Sequence, residues 1–243
     1  MAKYIAVWGS PASGKTTFST KLAQTIYDEY QSTVIVVYCN CETPVLPVIF
    51  PNHRAEDLLS LGTVLAKADI TQESVISQIV TLKNRVNFGF LGFKDGDNKY
   101  TYPSFGEDKA KLFYEVLGTL ADYIIIDCTS DLSDPLSLAA IKEADEVIRL
   151  ASPDLKSITF FSSQLPLYSD PVYRFCEHIQ GINVPDEDLF MPIEEMKSGM
   201  PDTRFVIPYS KEVKEQLLDG RLFRAVRDKK YRQKILAITE KVI

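Results

Sequence analysis

Cysteine and histidine are scarce in this sequence of 243 residues. Its four cysteines are scattered, and their spacings fit neither a disulfide framework nor a zinc site. Cys39 and Cys41 alternate along a predicted strand end, where we expect them to pack as small hydrophobic side chains. The two histidines, His53 and His178, are isolated, so we expect surface or core side chains rather than metal ligands or catalytic bases.

Long apolar runs and an excess of positive charge are also absent. No apolar segment approaches the about 20 residues that cross a bilayer. The chain begins with a predicted strand rather than a signal peptide. The formal net charge is −6, so the protein has no general basic field for nucleic acid, although a local basic patch remains compatible with it. We therefore expect a cytoplasmic protein.

A short pattern near the N-terminus predicts a nucleotide site. It reads G-x-x-x-x-G-K-[ST], starts at Gly9 and ends with Lys15 and Thr16. The glycines let backbone N–H groups surround an anion, the lysine binds the β- and γ-phosphates, and the hydroxyl is a Mg²⁺ ligand. A predicted strand at residues 4–8 precedes the pattern, and a predicted helix at residues 16–27 follows it. The predicted phosphate-binding residues are Gly9, Ser10, Pro11, Ala12, Ser13, Gly14, Lys15, Thr16 and Thr17.

Strand and helix patterns alternate along most of the chain. This alternation predicts an α/β fold of the P-loop NTPase type, Rossmann-like and three-layered, in which helices flank a doubly wound, mostly parallel sheet. We expect residues 1–243 to form one such nucleotide-binding domain. Further strands are predicted at residues 33–39, 86–93, 122–131, 145–154 and 204–210. Further helices are predicted at residues 74–84, 107–120, 155–165 and 169–181, in the segment that Asp134 and Pro135 open, and through the tail at 211–243.

Three polar residues stand at the ends of predicted strands. Asp127 ends the apolar run at 123–126, and Asn40 and Glu42 follow the run at 33–39. Parallel sheets bind ligands at the carboxyl ends of their strands. An acid delivered there beside a phosphate loop holds Mg²⁺ directly or through water, so we expect Thr16 and Asp127 to be the metal ligands.

Two longer segments resemble a known family. The segment DYIIIDCTSDLSDPLSLAAIKEADEVIRLASPDLKSI at 122–158 and the segment FVIPYSKEVKEQLLDGRLF at 205–223 resemble the MinD/ParA class of P-loop ATPases. The resemblance is closest to the CpaE/TadZ branch, which localises pilus and secretion machinery, and weakest at 167–202. It implies ATP or ADP and Mg²⁺ as cofactors, and it keeps the family roles of Lys15, Thr16 and Asp127. The family's "IP" turn falls at Pro208, our only candidate for a contact to the base.

The sequence departs from this family at three places. Ser10 stands where the family has a signature lysine that reaches the phosphates of a second subunit. Asn40 stands where the family has an aspartate that positions the attacking water, and Glu42 is a partial substitute two residues later. Residues 128–131 lack the glycine whose N–H meets the γ-phosphate. The predicted catalytic residues are Lys15, Asn40, Glu42 and Asp127, and the departures predict binding with slow or degenerate hydrolysis.

Three functions agree with these observations. The first is a slow ATPase that switches its association state, as a homodimer, and positions a partner in a pilus, secretion or partition complex. The second is a non-hydrolysing scaffold. The third is a small-molecule kinase, which the two arginines between residues 86 and 202 make less suitable because kinases need several arginines in a lid. The basic cluster at 224–234 is a solvated helix face or a patch for DNA or anionic lipid at the inner face of a membrane.

Overall fold

The computed structural model describes residues 2–54, 57–131, 133–188 and 191–243. Within them, eight strands form one sheet in the order β3-β4-β2-β5-β1-β6-β7-β8. Neighbouring strands run parallel except β3, which is antiparallel to β4 at one edge. The strands are β1 (Lys3–Gly9), β2 (Val34–Tyr38), β3 (Val80–Leu82), β4 (Arg85–Leu91), β5 (Tyr123–Asp127), β6 (Glu146–Ala151), β7 (Ile179–Asn183) and β8 (Thr203–Ile207).

Helices cover both faces of this sheet. The described helices are α1 (Lys15–Tyr30), α2 (Leu46–Ile49), α3 (Leu61–Leu65), α4 (Gln72–Ile76), α5 (Glu107–Leu117), α6 (Pro135–Glu143), α7 (Leu155–Gln164), α8 (Ile193–Gly199), α9 (Lys211–Leu218) and α10 (Lys229–Val242). Side chains of α1, α2, α9 and α10 pack on one face, and side chains of α3 to α8 pack on the other. The α/β, doubly wound, three-layer fold expected from the sequence is confirmed.

The core explains why the strands read as continuous apolar runs. In β1, Ile5 and Val7 face the α1 side, whereas Ala6 and Trp8 face the opposite side, and all four are buried. A strand that is covered on both faces needs apolar side chains in both directions. This is why β1, β2 and β5 were recognisable from the sequence alone.

Two predicted helices are wrong. Residues 74–84 contain only the end of α4, after which 80–82 form β3 against β4. Residues 169–181 contain two short 3₁₀ turns and the start of β7. Pro171 begins the first of these turns, and Arg174 between them has a left-handed φ of +46°, so no helix continues there. In both segments, pairing with a neighbouring strand favours a β-strand over a helix.

The predicted helical tail is interrupted. Helix α9 ends at Leu218 and α10 begins at Lys229. The basic cluster at 224–234 therefore lies partly in the connecting segment and partly in the first turns of α10. It is not a continuous basic helix.

Candidate nucleotide site

The phosphate loop connects β1 to α1 at the centre of the sheet. Gly9 has φ +148° and Gly14 has φ +79°, conformations that residues with a Cβ rarely adopt. A Cβ on Gly9 would also collide with the carbonyl oxygen of Leu150, and one on Gly14 would collide with the side-chain amide of Asn183. The positive φ therefore favours glycine at both positions, and at Gly9 the backbone of β6 also leaves no room for a side chain.

The side chain of Lys15 folds back onto the phosphate loop. Its Nζ donates to the carbonyl oxygens of Ser10 at 2.9 Å and Gly9 at 3.3 Å, and to the hydroxyl of Ser130 at 2.7 Å. Burial lowers the pKa of Lys15 below its ordinary value, although Asp127 acts in the opposite direction. The amine therefore stands at the floor of the site, held by neutral acceptors that phosphate oxygens can replace.

A carboxylate and two hydroxyls lie beside the start of α1. Thr16 Oγ1 donates to Asp127 at 2.6 Å, and Ser19 Oγ donates to the other oxygen of that carboxylate at 3.2 Å. Burial raises the pKa of Asp127 to about 6, and the Thr16 hydrogen bond and the charge of Lys15 limit the rise. Within the described residues, no group of three or more His, Cys, Asp or Glu could hold a metal ion. A hydroxyl and one carboxylate suit Mg²⁺, which keeps waters and phosphate oxygens as its other ligands.

A cavity of about 780 Å³ opens at this edge of the sheet. Nucleotide-sized ligands occupy pockets of this size. The predicted residues that line it are Pro11, Ala12, Gly14, Lys15, Thr16, Thr17, Asn40, Glu42, Asp127 and Pro208. The predicted residues Gly9, Ser10 and Ser13 lie behind the lining, where Ser13 donates its hydroxyl to the carbonyl of Ser10 at 2.8 Å.

Ser10 faces away from the cavity. Its side chain is fully buried, and its hydroxyl lies 2.7 Å from that of Ser157 at the start of α7. Ser157 in turn binds the capping residue Asp154, which accepts from its backbone N–H at 2.7 Å. The Ser10 side chain thus ties the phosphate loop to α7.

Asn40 and Glu42 lie beyond the end of β2. The side-chain oxygen of Asn40 accepts from the backbone N–H of Thr43 at 2.8 Å, which closes a turn in its own loop. Glu42 is exposed at the cavity wall. Both residues stand at the carboxyl edge where the sequence predicts them.

Sequence reasoning missed several residues of the site, of which Ser130 and Asn183 contact the phosphate loop. The Ser130 hydroxyl, besides accepting from Lys15, donates to the carbonyl of Gly9 at 2.7 Å. The Asn183 side chain donates to the carbonyl of Ser13 at 2.8 Å, and Asn183 lines the cavity. Asn183 ends β7, the strand that was mistaken for a helix, so its position at the carboxyl edge of the sheet was not recognised. At residues 128–131 the sequence pattern indicates only a missing glycine and gives no signal for the Ser130 hydroxyl.

Solved structures resemble this chain over its full length. A ParA family ATPase from Chlorobium tepidum TLS matches with a TM-score of 0.78 at 13% identity, covering 99% of both chains. The septum site-determining protein MinD of Pyrococcus horikoshii OT3, complexed with Mg-ADP, matches with a TM-score of 0.71 at 20% identity, over 100% of this chain and 96% of that one. A protein assigned to plasmid partition in Borrelia burgdorferi B31, bound to AMPPNP, gives 0.72 at 17% identity over 100% of both chains.

The fold is that of the MinD and ParA ATPases. No protein-family model matches the sequence, and no curated protein matches it. The likeness therefore concerns the MinD/ParA fold and extends along the whole chain. In the described residues, no helix is long and apolar enough to cross a membrane.

The residues present fit a magnesium nucleotide. The MinD/ParA fold places the strained glycines, the buried amine of Lys15 and the Thr16–Asp127 pair at one end of the cavity. The cavity is also lined by apolar and amide side chains that end or follow β7 and β8 or come from α9 and α10: Asn183, Val184, Pro185, Pro208, Tyr209, Val213, Leu217 and Tyr231. Charged groups for the phosphates and apolar side chains for a base therefore line the same cavity.

Proposed function

We propose that this protein binds ATP, or ADP, with Mg²⁺ in the cavity and is a slow or degenerate ATPase that positions or assembles a partner complex. The observation that carries this proposal is the joint placement of Lys15, Thr16 and Asp127 around a glycine cradle that only glycines permit. Lys15 and the N-terminus of α1 hold the phosphates, and Thr16 with Asp127 holds the metal. The bound metal neutralises phosphate charge in any transfer.

The direction of the nucleotide follows from the strand order. The phosphate loop follows β1 in the middle of the sheet, Asp127 and Asn40 follow β5 and β2 on one side, and Pro208 follows β8 on the other. In the proposed pose the base accordingly lies toward Pro208, and the terminal phosphate toward Asn40. Both ends of the cavity are used in this pose.

The positions of Arg149 and Arg174 argue against a kinase. Arg149 is 4% exposed and its guanidinium lies 4.0 Å from the ring centre of Phe175. Arg174 donates to the backbone carbonyls of Lys142 and Ala144. Neither lines the cavity, so neither stands where it could stabilise a phosphoryl group in transfer.

The non-hydrolysing scaffold remains the second candidate, because Asn40 replaces a proton acceptor. Both candidates require nucleotide binding and differ in turnover. Within the first, we propose a homodimer that serves a pilus, secretion or partition complex in the cytoplasm, as in the CpaE/TadZ branch. Recruitment to DNA or to the inner face of a membrane would use the exposed cations around the start of α10, among them Arg227, Lys230 and Arg232.

Substitution of Lys15 tests the binding site. Lys15→Ala should weaken Mg-ATP binding at least tenfold, about 1.4 kcal/mol or more, because a charged contact to the β- and γ-phosphates is lost. Thr16→Ala and Asp127→Ala should mainly remove the dependence of affinity on Mg²⁺. Titration calorimetry measures both effects.

Lys94→Ala is the matched control, because Lys94 precedes a loop at the same edge of the sheet and does not line the cavity. It should bind as the wild type does. Wild-type affinity in Lys15→Ala would contradict the proposed site. If the affinities of the Thr16→Ala and Asp127→Ala variants depend on Mg²⁺ as strongly as that of the wild type, the metal assignment is contradicted and the nucleotide site is not.

A further inference from the structure

The connection between β4 and α5 carries an ordered loop beside the cavity. The carboxylate of Asp97 is buried and accepts from the Ser60 hydroxyl, from the backbone N–H of Lys94 at 3.0 Å and from the Tyr102 hydroxyl at 3.1 Å. The following turn closes through Asn98, whose backbone carbonyl accepts from the N–H of Thr101 at 2.9 Å. This loop is held from within, so the backbone that carries residue 99 has a defined position.

Lys99 occupies the tip of this loop and lines the cavity. Among the residues that the structure describes, three cations line the cavity: Lys15, Lys99 and Lys214. Lys214 is already paired with Asp186 at 2.6 Å. Lys99 contacts the ring of Tyr100, with Nζ 5.1 Å from its centre, and in the described part of the chain no carboxylate oxygen lies within 4.0 Å of this amine. Lys99 is therefore a lining cation whose charge is not matched by a paired carboxylate.

The order of the strands indicates on which side of the phosphate loop Lys99 lies. Its loop follows β4, which neighbours β2, and β2 neighbours β5. Lys99 therefore stands on the Asn40 and Asp127 side of the phosphate loop. Pro208, which follows β8, stands on the other side of the phosphate loop. Lys99 lies at the terminal-phosphate end of the pose proposed above.

We propose that Lys99 binds the terminal phosphate of a nucleoside triphosphate from the same chain and so determines the preference for triphosphate over diphosphate. This inference rests on the proposed function, because it takes the phosphates to lie at the glycine loop. The α- and β-phosphates are held by Lys15 and the N-terminus of α1 in either nucleotide. The γ-phosphate adds negative charge at the end where Lys99 supplies a cation.

The test compares two nucleotides on four proteins. Calorimetry with Mg-AMPPNP and Mg-ADP is performed on the wild type and on the Lys99→Ala, Lys99→Arg and Lys94→Ala variants, at two salt concentrations. Lys99→Ala should weaken AMPPNP about fivefold or more and ADP less than twofold, and it should reduce the salt dependence of AMPPNP affinity. Lys99→Arg should restore the preference because it keeps the charge. Lys94→Ala should match the wild type with both nucleotides.

The outcomes separate this inference from the proposed function. An unchanged ratio of AMPPNP to ADP affinity in Lys99→Ala, with normal binding by the wild type, overturns the role of Lys99 and leaves the nucleotide site intact. An equal loss for both nucleotides also overturns it, because the lysine then acts on the shared phosphates. Failure of the wild type to bind either nucleotide overturns both proposals.

Discussion

Asn40 is the residue at which the chemistry of the site departs most from an efficient ATPase. It stands at the carboxyl edge of the sheet, beside the cavity, and its side-chain oxygen accepts from the Thr43 N–H at 2.8 Å. An aspartate at this position would keep that hydrogen bond, because a carboxylate oxygen accepts equally well. Unlike an amide, it would also attract the proton of an attacking water. The substitution therefore changes the chemistry with little change of structure.

Hydrolysis by the wild type should be slow, and Asn40→Asp should be faster. We expect the wild-type rate to lie below the ~1 s⁻¹ at the lower end of ordinary enzymes. Phosphate release with Mg-ATP measures the rates, and Glu42→Gln in both backgrounds shows whether the neighbouring carboxylate contributes. A wild type that turns over several times per second would refute this interpretation of Asn40. In that case, loss of the rate in Glu42→Gln would identify Glu42 as the group that positions the water.

Helix α1 joins the phosphate loop to the C-terminal part of the chain through a buried amine. Lys21 on α1 is 3% exposed, and its Nζ donates to Gln216 Oε1 on α9 at 2.7 Å. It also donates to the backbone carbonyls of Arg224 at 3.0 Å and of Leu222. The segment between α9 and α10 is thus attached to the helix that begins at the nucleotide. Burial lowers the pKa of Lys21 to about 7.

The stability of the protein should therefore depend on pH through Lys21. Of the neighbouring charges, Glu212 and Asp28 raise this pKa and Arg85 lowers it, but burial is the largest cause. Between pH 7 and 10 the unfolded chain holds the proton that the folded chain has released, so the free energy of unfolding should rise with pH. The slope contributed by one such group is at most about 1.4 kcal/mol per pH unit.

Urea unfolding of the wild type and of Lys21→Met at several pH values measures this dependence. In Lys21→Met the free energy of unfolding should no longer rise with pH. In Lys83→Met, which replaces an exposed lysine, the rise should remain. A wild-type curve that is flat from pH 7 to 9, like that of Lys21→Met, would mean that the surrounding carbonyl oxygens hold the proton on Lys21 in the folded state.

At the scale of the molecule, the question is how nucleotide could change association. One chain supplies the eight described strands of the sheet, and the cavity is lined from both halves of that sheet. Ser10, where the resembled family has a lysine that reaches a second subunit, is buried against Ser157. No cation therefore projects from this position of the loop toward another chain. A nucleotide bound to one copy of the chain therefore lacks one charged contact to a second copy.

Mg-AMPPNP should accordingly shift self-association only modestly, by less than about tenfold in the dimer constant, a difference below about 1.4 kcal/mol. Any strong dimer should persist without nucleotide. Sedimentation of the wild type with and without the nucleotide measures the shift, and Lys15→Ala controls for effects that do not need the site. A wild type that is monomeric alone and fully dimeric with nucleotide would show that another group bridges the subunits.

The sequence by itself determined the phosphate loop, the acid at Asp127 and the class of the fold. Each depends on short-range order: a fixed spacing from Gly9 to Thr16, an apolar run that ends in a carboxylate, and alternating strand and helix patterns. Buried parallel strands need apolar residues on both faces, so their pattern is strong without any knowledge of neighbours. The carboxyl ends of such strands converge, and this placed Asn40 and Pro208 at the cavity as well.

Only the tertiary structure decided the edges of the sheet and the contacts that cross it. Residues 80–82 and 179–183 are strands because β4 and β6 pair with them, and a segment of mixed pattern takes the conformation that its neighbours satisfy. Asn183 and Lys99 reached the cavity for the same reason, since loops more than 80 residues apart in sequence meet where the strands end. Ser10 turned inward because Ser157 offered its hydroxyl a buried partner. Such long-range contacts have no local signal in the sequence, because the residues that make them are neighbours only after the sheet has formed.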